Sequence, residues 1–532
     1  MTNSFDELEE AGCIFVIGSN TTEAHPLIAD RILRAKQKGA TLVVADPRRI
    51  HLAEYADIHV RQRLGSDVAL INGIMHVILA EGWQAADYVA ERCEAFDELE
   101  AVIKEYPPER AAEISGVDAE SIRAMAKAYA TAESSSIVYA MGITQHTTGV
   151  DNVKSLANLA MLCGRVGAFA GGVNPLRGQN NVQGACDMGG LPNVYPGYQK
   201  VVDQAVAEKF GRAWNAEVSI DLGRTIMKMV DGILAGEVEA LYVLGENPAL
   251  SDPNSTHVRE ALDKVPLLVV QDIVRSETAE YADVVLPGCA FAEKDGTFTN
   301  SERRVQLVRK AVEPPGEARD DSWILCEVSS RMGYGMEHRS AADVFDELAS
   351  LTPQYAGMSY PRLQGAGLQW PCPAADHPGT PYLHKGKFAR GQGLFHAIEY
   401  KAPAEGCDAD YPLQLTTGRS FVHFHTGTMT RQSPSLDEEQ RDAYVEVHPD
   451  DAVAYGVQPG QPVRVSTRRG SIELAPQITE RVGRGVIFIP FHFAEAAANV
   501  LTIDALDPIA GIPEYKVCAV KIEGRPAEQE AG

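Results

Sequence analysis

Arg177 stands in Asn174-Pro175-Leu176-Arg177-Gly178-Gln179-Asn180-Asn181, a run rich in amides whose nearest carboxylate in sequence is Asp187, ten positions on. A guanidinium presents a planar fork of donors that suits a carboxylate or a phosphate, so this loop is a candidate holder of either anion. On composition alone a solvated or structural arginine explains the residue as well; the surrounding amides weight the reading toward a site. In 415–429 (LTTGRSFVHFHTGTM) a strand is predicted to run into Thr-Gly-Arg and then His423-Phe424-His425, with both histidines at strand spacing on one side. A metal site needs three or four ligands, and these two have no carboxylate or cysteine beside them, so hydrogen bonds to a ligand or to backbone are expected instead. His146 closes Met141-Gly142-Ile143-Thr144-Gln145-His146, a predicted turn after strand 136–140 where a bound group could be contacted. There is no GxSxG, Cys186 has no histidine close by in sequence, and no GxxxxGK[ST] occurs. Serine or cysteine hydrolase chemistry and P-loop nucleotide hydrolysis therefore have no support.

These side chains need elements to hold them. Residues 13–18 (CIFVIG) form an apolar run, followed by a Ser-Asn-Thr-Thr turn, a helix predicted over 25–38, a stop at Gly39 and a second run, 41–46 (TLVVAD). Strand, helix and strand within about 30 residues is the size of a βαβ unit, whose parallel sheet is covered on both faces. Asp46 ends the second strand, where open α/β sheets place an acidic group against a ribose hydroxyl. Gly18-Ser19-Asn20 is no GxGxxG, so a plain NAD-binding Rossmann domain is a poor match. The pattern returns in 239–248 (EALYVLGENP) and 267–272 (LLVVQD), and Ala279–Asp283 repeats Ala53–Asp57 residue for residue. Gly245 lies 227 positions after Gly18, and Asp272 and Asp283 lie 226 after Asp46 and Asp57. Features holding one offset imply two related α/β domains. Such a pair can bind two similar nucleotide-like ligands at its strand ends; a duplicated scaffold with one site lost is the alternative.

Residues 152–165 read as a helix, 166–197 as a glycine-, asparagine- and proline-rich segment of the functional kind, and 352–410 as connecting chain. Beyond a boundary near 405, short runs at 411–416, 444–448, 462–467, 471–478 and 486–491 predict a β-barrel or sandwich of roughly 110–130 residues. The 532 residues allow three to four domains at roughly 150 residues each. With 73 acidic against 48 basic residues the net charge is −25, which repels nucleic acid and anionic lipid. Apolar runs fall short of the roughly 20 residues needed to cross a bilayer, and a soluble, cytoplasmic protein is expected. Nine cysteines are scattered without a CxxC pair, so neither a locally spaced metal cluster nor a secreted disulfide framework is expected.

The segment 171–198 (GGVNPLRGQNNVQGACDMGGLPNVYPGY) resembles the signature of the molybdopterin-dependent formate dehydrogenase alpha subunits of the DMSO reductase superfamily. GSNTTEAHP at 18–26, ADPRR at 45–49, MGITQHTTG at 141–149, GENP at 245–248, EKDGTFTNSERRVQ at 293–306, TTGR and HFHTGTMTR within 416–431, and NVLTIDALDPIAGIPEYK at 499–516 resemble it too. The resemblance implies an α/β multidomain fold: two related doubly wound α/β domains, a small mixed domain and a C-terminal double-psi-type β-barrel. It implies a first guanine dinucleotide on 1–178, a repeated domain over 179–290 with an excursion near 321–343, irregular segments over 291–404, and a dinucleotide-binding barrel over 405–532. Its cofactor is a bis-molybdopterin guanine dinucleotide with Mo or W, and its reaction is formate to CO2.

Carried over by position, Arg177 corresponds to the arginine that holds formate, with Gln179 next to it. Gly18, Asn20, Asp46, Gly65, Asp67, Met141, Gly142 and Gln145 resemble contacts to one dinucleotide. Gly245, Asn247, Asp272, Gly418, Arg419, His425, Thr426, Asn499 and Lys516 fall in motifs around the other or around the pterins. Family members begin with a cysteine-rich domain holding a 4Fe-4S cluster, followed by the Cys or selenocysteine that binds the metal, all upstream of the stretch where this chain starts. The expectation is an N-terminally truncated catalytic portion, inactive alone and without a protein ligand to the metal. An in-frame UGA read as a stop, or a separate polypeptide, would account for it. Iron–sulfur and flavin electron-transfer subunits are the implied partners, with NAD, ferredoxin or a hydrogenase as terminal acceptor. The alternatives are a cofactor-free scaffold or another molybdopterin oxidoreductase such as a nitrate reductase, which the VNPLRGQNNVQGACDMG loop resembles less.

Overall fold

Cys13–Ile17 (CIFVI) has no polar position to leave in water, and the strand is buried along its whole length, as a parallel sheet covered on both faces requires. It is the centre of a five-stranded parallel sheet ordered Ile58–Val60, Thr41–Ala45, Cys13–Ile17, Ser135–Tyr139, Val173–Pro175. The twofold alternation of side chains divides each strand between two cores. Cys13, Phe15, Ile17, Val43 and Ile137 pack with helices Asp67–Ala80, Ala119–Thr131 and Gly149–Leu162. Ile14, Val16, Leu42, Val44 and Val138 pack with helix Pro26–Gln37 on the other face. Proline in the first turn and a glycine at positive φ after the last bound that helix. The helix expected over 152–165 begins three residues earlier and ends at Leu162.

The computed structural model describes residues 1–524, and the chain divides into two units. The first comprises Met1–Leu176, Leu250–Thr256 and the chain from Tyr382 on. Besides the sheet it contains a closed barrel of Leu413–Gly418, Val486–Pro490, Tyr444–Val447, Ser471–Ile478, Val463–Ser466 and Cys518–Gly524. Leu413, Leu415, Val445, Val447, Val463 and Val465 alternate into its core. Cys518–Gly524, absent from the expected runs, closes the barrel by pairing with both Leu413–Gly418 and Val463–Ser466. The strand spacing read for His423 and His425 needs correction. The strand stops at Gly418, the chain then turns, and His425 itself is left-handed at φ 50°, so positions two apart no longer share a face. Arg48 ties sheet to barrel, donating through Nε and Nη2 to the two carboxylate oxygens of Glu446 at 3.0 and 2.8 Å.

The second unit, Arg177–Ala249 with His257–Pro381, repeats the first three strands of the first. Val284–Pro287, Leu267–Asp272 and Ala240–Leu244 are parallel in that order. Their registers match as well: Cys13 faces Thr41 as Ala240 faces Leu267, and Val43 faces Ile58 as Val269 faces Val284. Asp57 accepts from the Leu42 amide at 2.8 Å, and Asp283 accepts from Leu268 at 2.8 Å. The duplication seen in the sequence is a duplication of structure. A second, antiparallel sheet of Gly296–Thr299, Arg304–Val308 and Leu368–Gln369 adjoins a core of Val305, Phe345, Tyr355, Met358 and Leu363. Within 166–197 the structure forms a short strand, Val173–Pro175, and a helix, Val182–Asp187. No helix among the described residues is long and apolar enough to cross a membrane.

Candidate functional site

In the first unit the polar candidates gather where the parallel strands end. The Gly142 amide donates to the Gly18 carbonyl at 3.1 Å, and a Cβ on Gly142 would lie 2.6 Å from that oxygen. Two strand ends thus meet backbone to backbone, which only glycine permits. Met141 opens the one-turn helix Met141–Thr144 and Gln145 follows it. Asn20 precedes helix Thr21–Ala24, and its Nδ2 is buried without a partner. Asp46 accepts from the Arg48 amide at 2.9 Å; burial pushes its carboxyl up to about 6. Asp67, the first residue of its helix, accepts from Gln62 at 3.2 Å and is likewise raised by burial. Gly65 lies against Pro403 at φ +75°. His146 is buried, with Nε2 2.9 Å from the Gly142 carbonyl and Nδ1 3.6 Å from Glu514.

The barrel contributes the cations. Lys516 is buried, its Nζ donating to the Thr417 carbonyl at 2.7 Å. Burial, and then the Arg419 guanidinium, lower its amine to about 7. Burial lowers Arg419, which follows Gly418, to about 10. The same two causes hold His25 and His425 near 4, so both imidazoles are neutral near pH 7. His492 Nε2 accepts from the Ser420 amide at 2.8 Å while its Nδ1 meets the His425 carbonyl. Ser420 Oγ is buried and unpartnered. Thr426 pairs with Thr428 at 2.8 Å. Asn499 spends its amide on the Leu250 and Ser251 carbonyls at 2.7 and 2.9 Å. Desolvated cations, neutral imidazoles and unpaired amide and hydroxyl groups make a donor-rich lining suited to a phosphate-bearing ligand.

In the second unit Arg177 receives a different treatment. Its backbone amide donates to Ser301 Oγ at 3.0 Å and its Nε to Gln183 Oε1 at 3.0 Å. Gln183 Nε2 in turn donates to Asp187 at 2.8 Å. The terminal amino groups of Arg177 donate to nothing among the described residues. Gln179 is half-buried two residues on. Gly245, at φ +62°, has open space where a Cβ would stand. Asn247 is committed to Glu277 and Thr278 at 2.7 and 2.8 Å, and Asp272 accepts from the Ile273 amide at 2.7 Å. Motif spacing does not single out His25, His492, Gln183 or Asp187. The last two carried a usable signal: Gln183 and Asp187 are four apart, one helical turn.

A family model described as molybdopterin oxidoreductase matches residues 1–331, and one described as molydopterin dinucleotide binding domain matches residues 413–519. The "F420-dependent formate dehydrogenase 1 subunit alpha" of Methanococcus maripaludis is 51% identical over 528 residues, covering 98% of this chain and 78% of the relative. The "Formate dehydrogenase H" of Escherichia coli is 39% identical over 531 residues, covering 98% of this chain and 74% of the relative. Among solved structures, acetylene hydratase from Pelobacter acetylenicus superposes with a TM-score of 0.75 at 23% identity, over 98% of this chain and 80% of that one, a likeness of fold. On these matches the chain belongs to the molybdopterin oxidoreductase family, as a homologue of formate dehydrogenase alpha subunits within the DMSO reductase superfamily.

Proposed function

We propose that this chain is the formate-oxidising alpha subunit of a formate dehydrogenase, holding two molybdopterin guanine dinucleotides around one Mo or W. The observation that carries the reading is Arg177: Gln183 fixes its Nε, its two terminal amino groups stay uncommitted, and it sits in the segment that resembles the family signature. The lining fits the cofactor. Lys516 is a buried cation and Arg419 a half-buried one, both desolvated and suited to phosphates, and Asn20 Nδ2 and Ser420 Oγ are polar atoms awaiting partners. Asp46 stands at a strand end where a ribose hydroxyl is commonly held. The repeated strand end at Gly245, with space before it, supports a second dinucleotide on the other α/β repeat.

Oxidation of formate breaks its C–H bond and yields CO2, a proton and two electrons. When bound, the cofactor's metal supplies the two-electron acceptor. The chain's own share is binding and orientation. Arg177 takes the carboxylate through two parallel charge-assisted hydrogen bonds, which turns the C–H end away from the guanidinium. Gln183 prevents rotation about the Nε end, so the fork presents one direction only. Electrons then leave to iron–sulfur and flavin subunits, and the name of the Methanococcus relative makes F420 the acceptor to assay first, beside NAD and ferredoxin.

The test is expression with partner subunits in a host that supplies Mo or W, followed by metal and nucleotide analysis and formate-dependent dye reduction. Two guanine nucleotides released per chain and formate turnover are expected. Arg177→Lys should lower kcat/KM at least tenfold, about 1.4 kcal/mol of transition-state stabilisation. Unchanged kinetics at full metal loading would refute the role given to Arg177.

A further inference from the structure

We propose that Asp187 is a positioning residue, whose carboxylate orients the Gln183 amide and thereby holds the Arg177 guanidinium in the attitude that receives a small carboxylate. The inference rests on the reading of Arg177 as the formate anchor. Asp187 is wholly buried and accepts four hydrogen bonds. Gln183 Nε2 and the Tyr198 hydroxyl donate to one oxygen, each at 2.8 Å, and the Tyr355 hydroxyl and Trp370 Nε1 to the other at 2.5 and 2.7 Å. That saturates the lone pairs of a carboxylate, and the indole N–H can only donate.

A glutamine amide can be turned either way, and its neighbours decide which. Here Nε2 is claimed by Asp187 and by Tyr198 at 2.8 and 2.9 Å, which leaves Oε1 to accept from Arg177 Nε at 3.0 Å. Reversal would set an NH2 against the Arg177 Nε–H and an oxygen against the carboxylate, two repulsive contacts in place of two bonds. An acceptor-only group at position 187 therefore determines the amide, and the amide fixes the guanidinium. Asparagine at 187 has a single acceptor oxygen. Once that oxygen serves Trp370, its NH2 faces Gln183, and the chain of orientations is reversed.

The experiment uses the intact, metal-loaded complex and the variants Asp187→Asn, Gln183→Met and Arg177→Lys, singly and in pairs. Formate KM is read by dye reduction, and formate Kd by the shift of Tm with formate concentration, a readout independent of turnover. Asp187→Asn and Gln183→Met are each expected to raise both constants about tenfold, with kcat falling less. On an Arg177→Lys background, which has no Nε to position, either change should add no more than about twofold. Full additivity on that background, or unchanged Kd in both single variants, overturns the positioning role and leaves a merely structural network. Should Asp187→Asn fail to assemble, Gln183→Met decides alone, because it leaves the bonds of Tyr198, Tyr355 and Trp370 to Asp187 in place. If Arg177→Lys itself leaves formate binding unchanged, the anchor reading falls, and this proposal with it.

Discussion

Lys516 shows what a lining of desolvated cations costs. Its amine is buried, and burial together with Arg419 lowers it to about 7, while Asp46 acts in the opposite direction. In the unfolded chain a lysine titrates near 10.4. Between about pH 7 and 10 the unfolded state therefore binds the extra proton, so the stability of cofactor-free protein should rise with pH across that window, with the full penalty present below pH 7. Lys516→Met should remove that slope and relieve on the order of 1 kcal/mol or more at pH 6, while lowering the dinucleotide retained on purification. Thermal unfolding of cofactor-free protein from pH 6 to 9 checks it; an unchanged slope in the variant sinks the assignment. Lys516 was legible only through its resemblance to a family motif. The imidazoles of His25 and His492 were not legible at all, because their place beside Arg419 is set by turns that no spacing encodes. Asp187 stands ten positions from Arg177 along the chain, yet one turn of helix returns it through Gln183.

Elements with a continuous apolar run were the most readable. CIFVI and TLVVA are strands nearly as expected, since a parallel strand buried on both faces needs no alternation. The constant offset carried the duplication, whose registers the structure reproduces. Cys518–Gly524 was not readable, because it mixes Lys521 and Glu523 into its run and its partner strands lie some 50 or more residues back in the chain. The turn after Gly418 escaped for the opposite reason: His-Phe-His has good strand character, and a left-handed His425 overrides it. The repeated strand ends differ in how tightly they are built. A Cβ on Gly18 would stand 2.9 Å from the Gly142 carbonyl carbon, whereas one on its counterpart Gly245 would meet nothing within 4 Å. Gly18→Ala, which adds that crowding to a left-handed backbone, should then loosen its strand end by about 2–3 kcal/mol. Gly245→Ala should lose only the left-handed penalty of about 1 kcal/mol. Hydrogen exchange at Cys13–Ile17 and Ala240–Leu244 reads the two locally, and equal losses of protection would contradict the contrast.

At the largest scale, composition and charge are silent on how the first unit joins its sheet to its barrel. That seam runs between residues 398 positions apart, Arg48 and Glu446. Both are buried, the guanidinium lies 3.4 Å from the centre of the Phe488 ring, and Arg481 reaches Glu446 at 3.3 Å and Glu23 at 2.8 Å. Breaking a buried pair by removing one partner leaves the other charge without compensation, which typically costs about 3–5 kcal/mol. Arg481 softens this, so about 3 kcal/mol is the expectation for Arg48→Met. Removing both charges should hurt less than the two single losses together: Arg48→Met with Glu446→Gln should show a coupling of at least about 1 kcal/mol. Because the pair is shielded from solvent, added salt should leave that coupling in place, unlike an exposed ion pair. The seam also has a functional reading. Arg48 lies two residues beyond Asp46, and Asp46 acts on Lys516, so the ion pair helps to fix the spacing of the sheet's strand end and the barrel's cations, beside the Arg49 amide on the Arg481 carbonyl at 2.7 Å and Arg61 on the Glu480 carbonyl at 2.8 Å. Arg48→Met should therefore release dinucleotide from the purified complex under conditions where the protein is still folded. Strict additivity in the cycle, together with full dinucleotide content, would mean that the sheet and barrel are held together by something other than this ion pair.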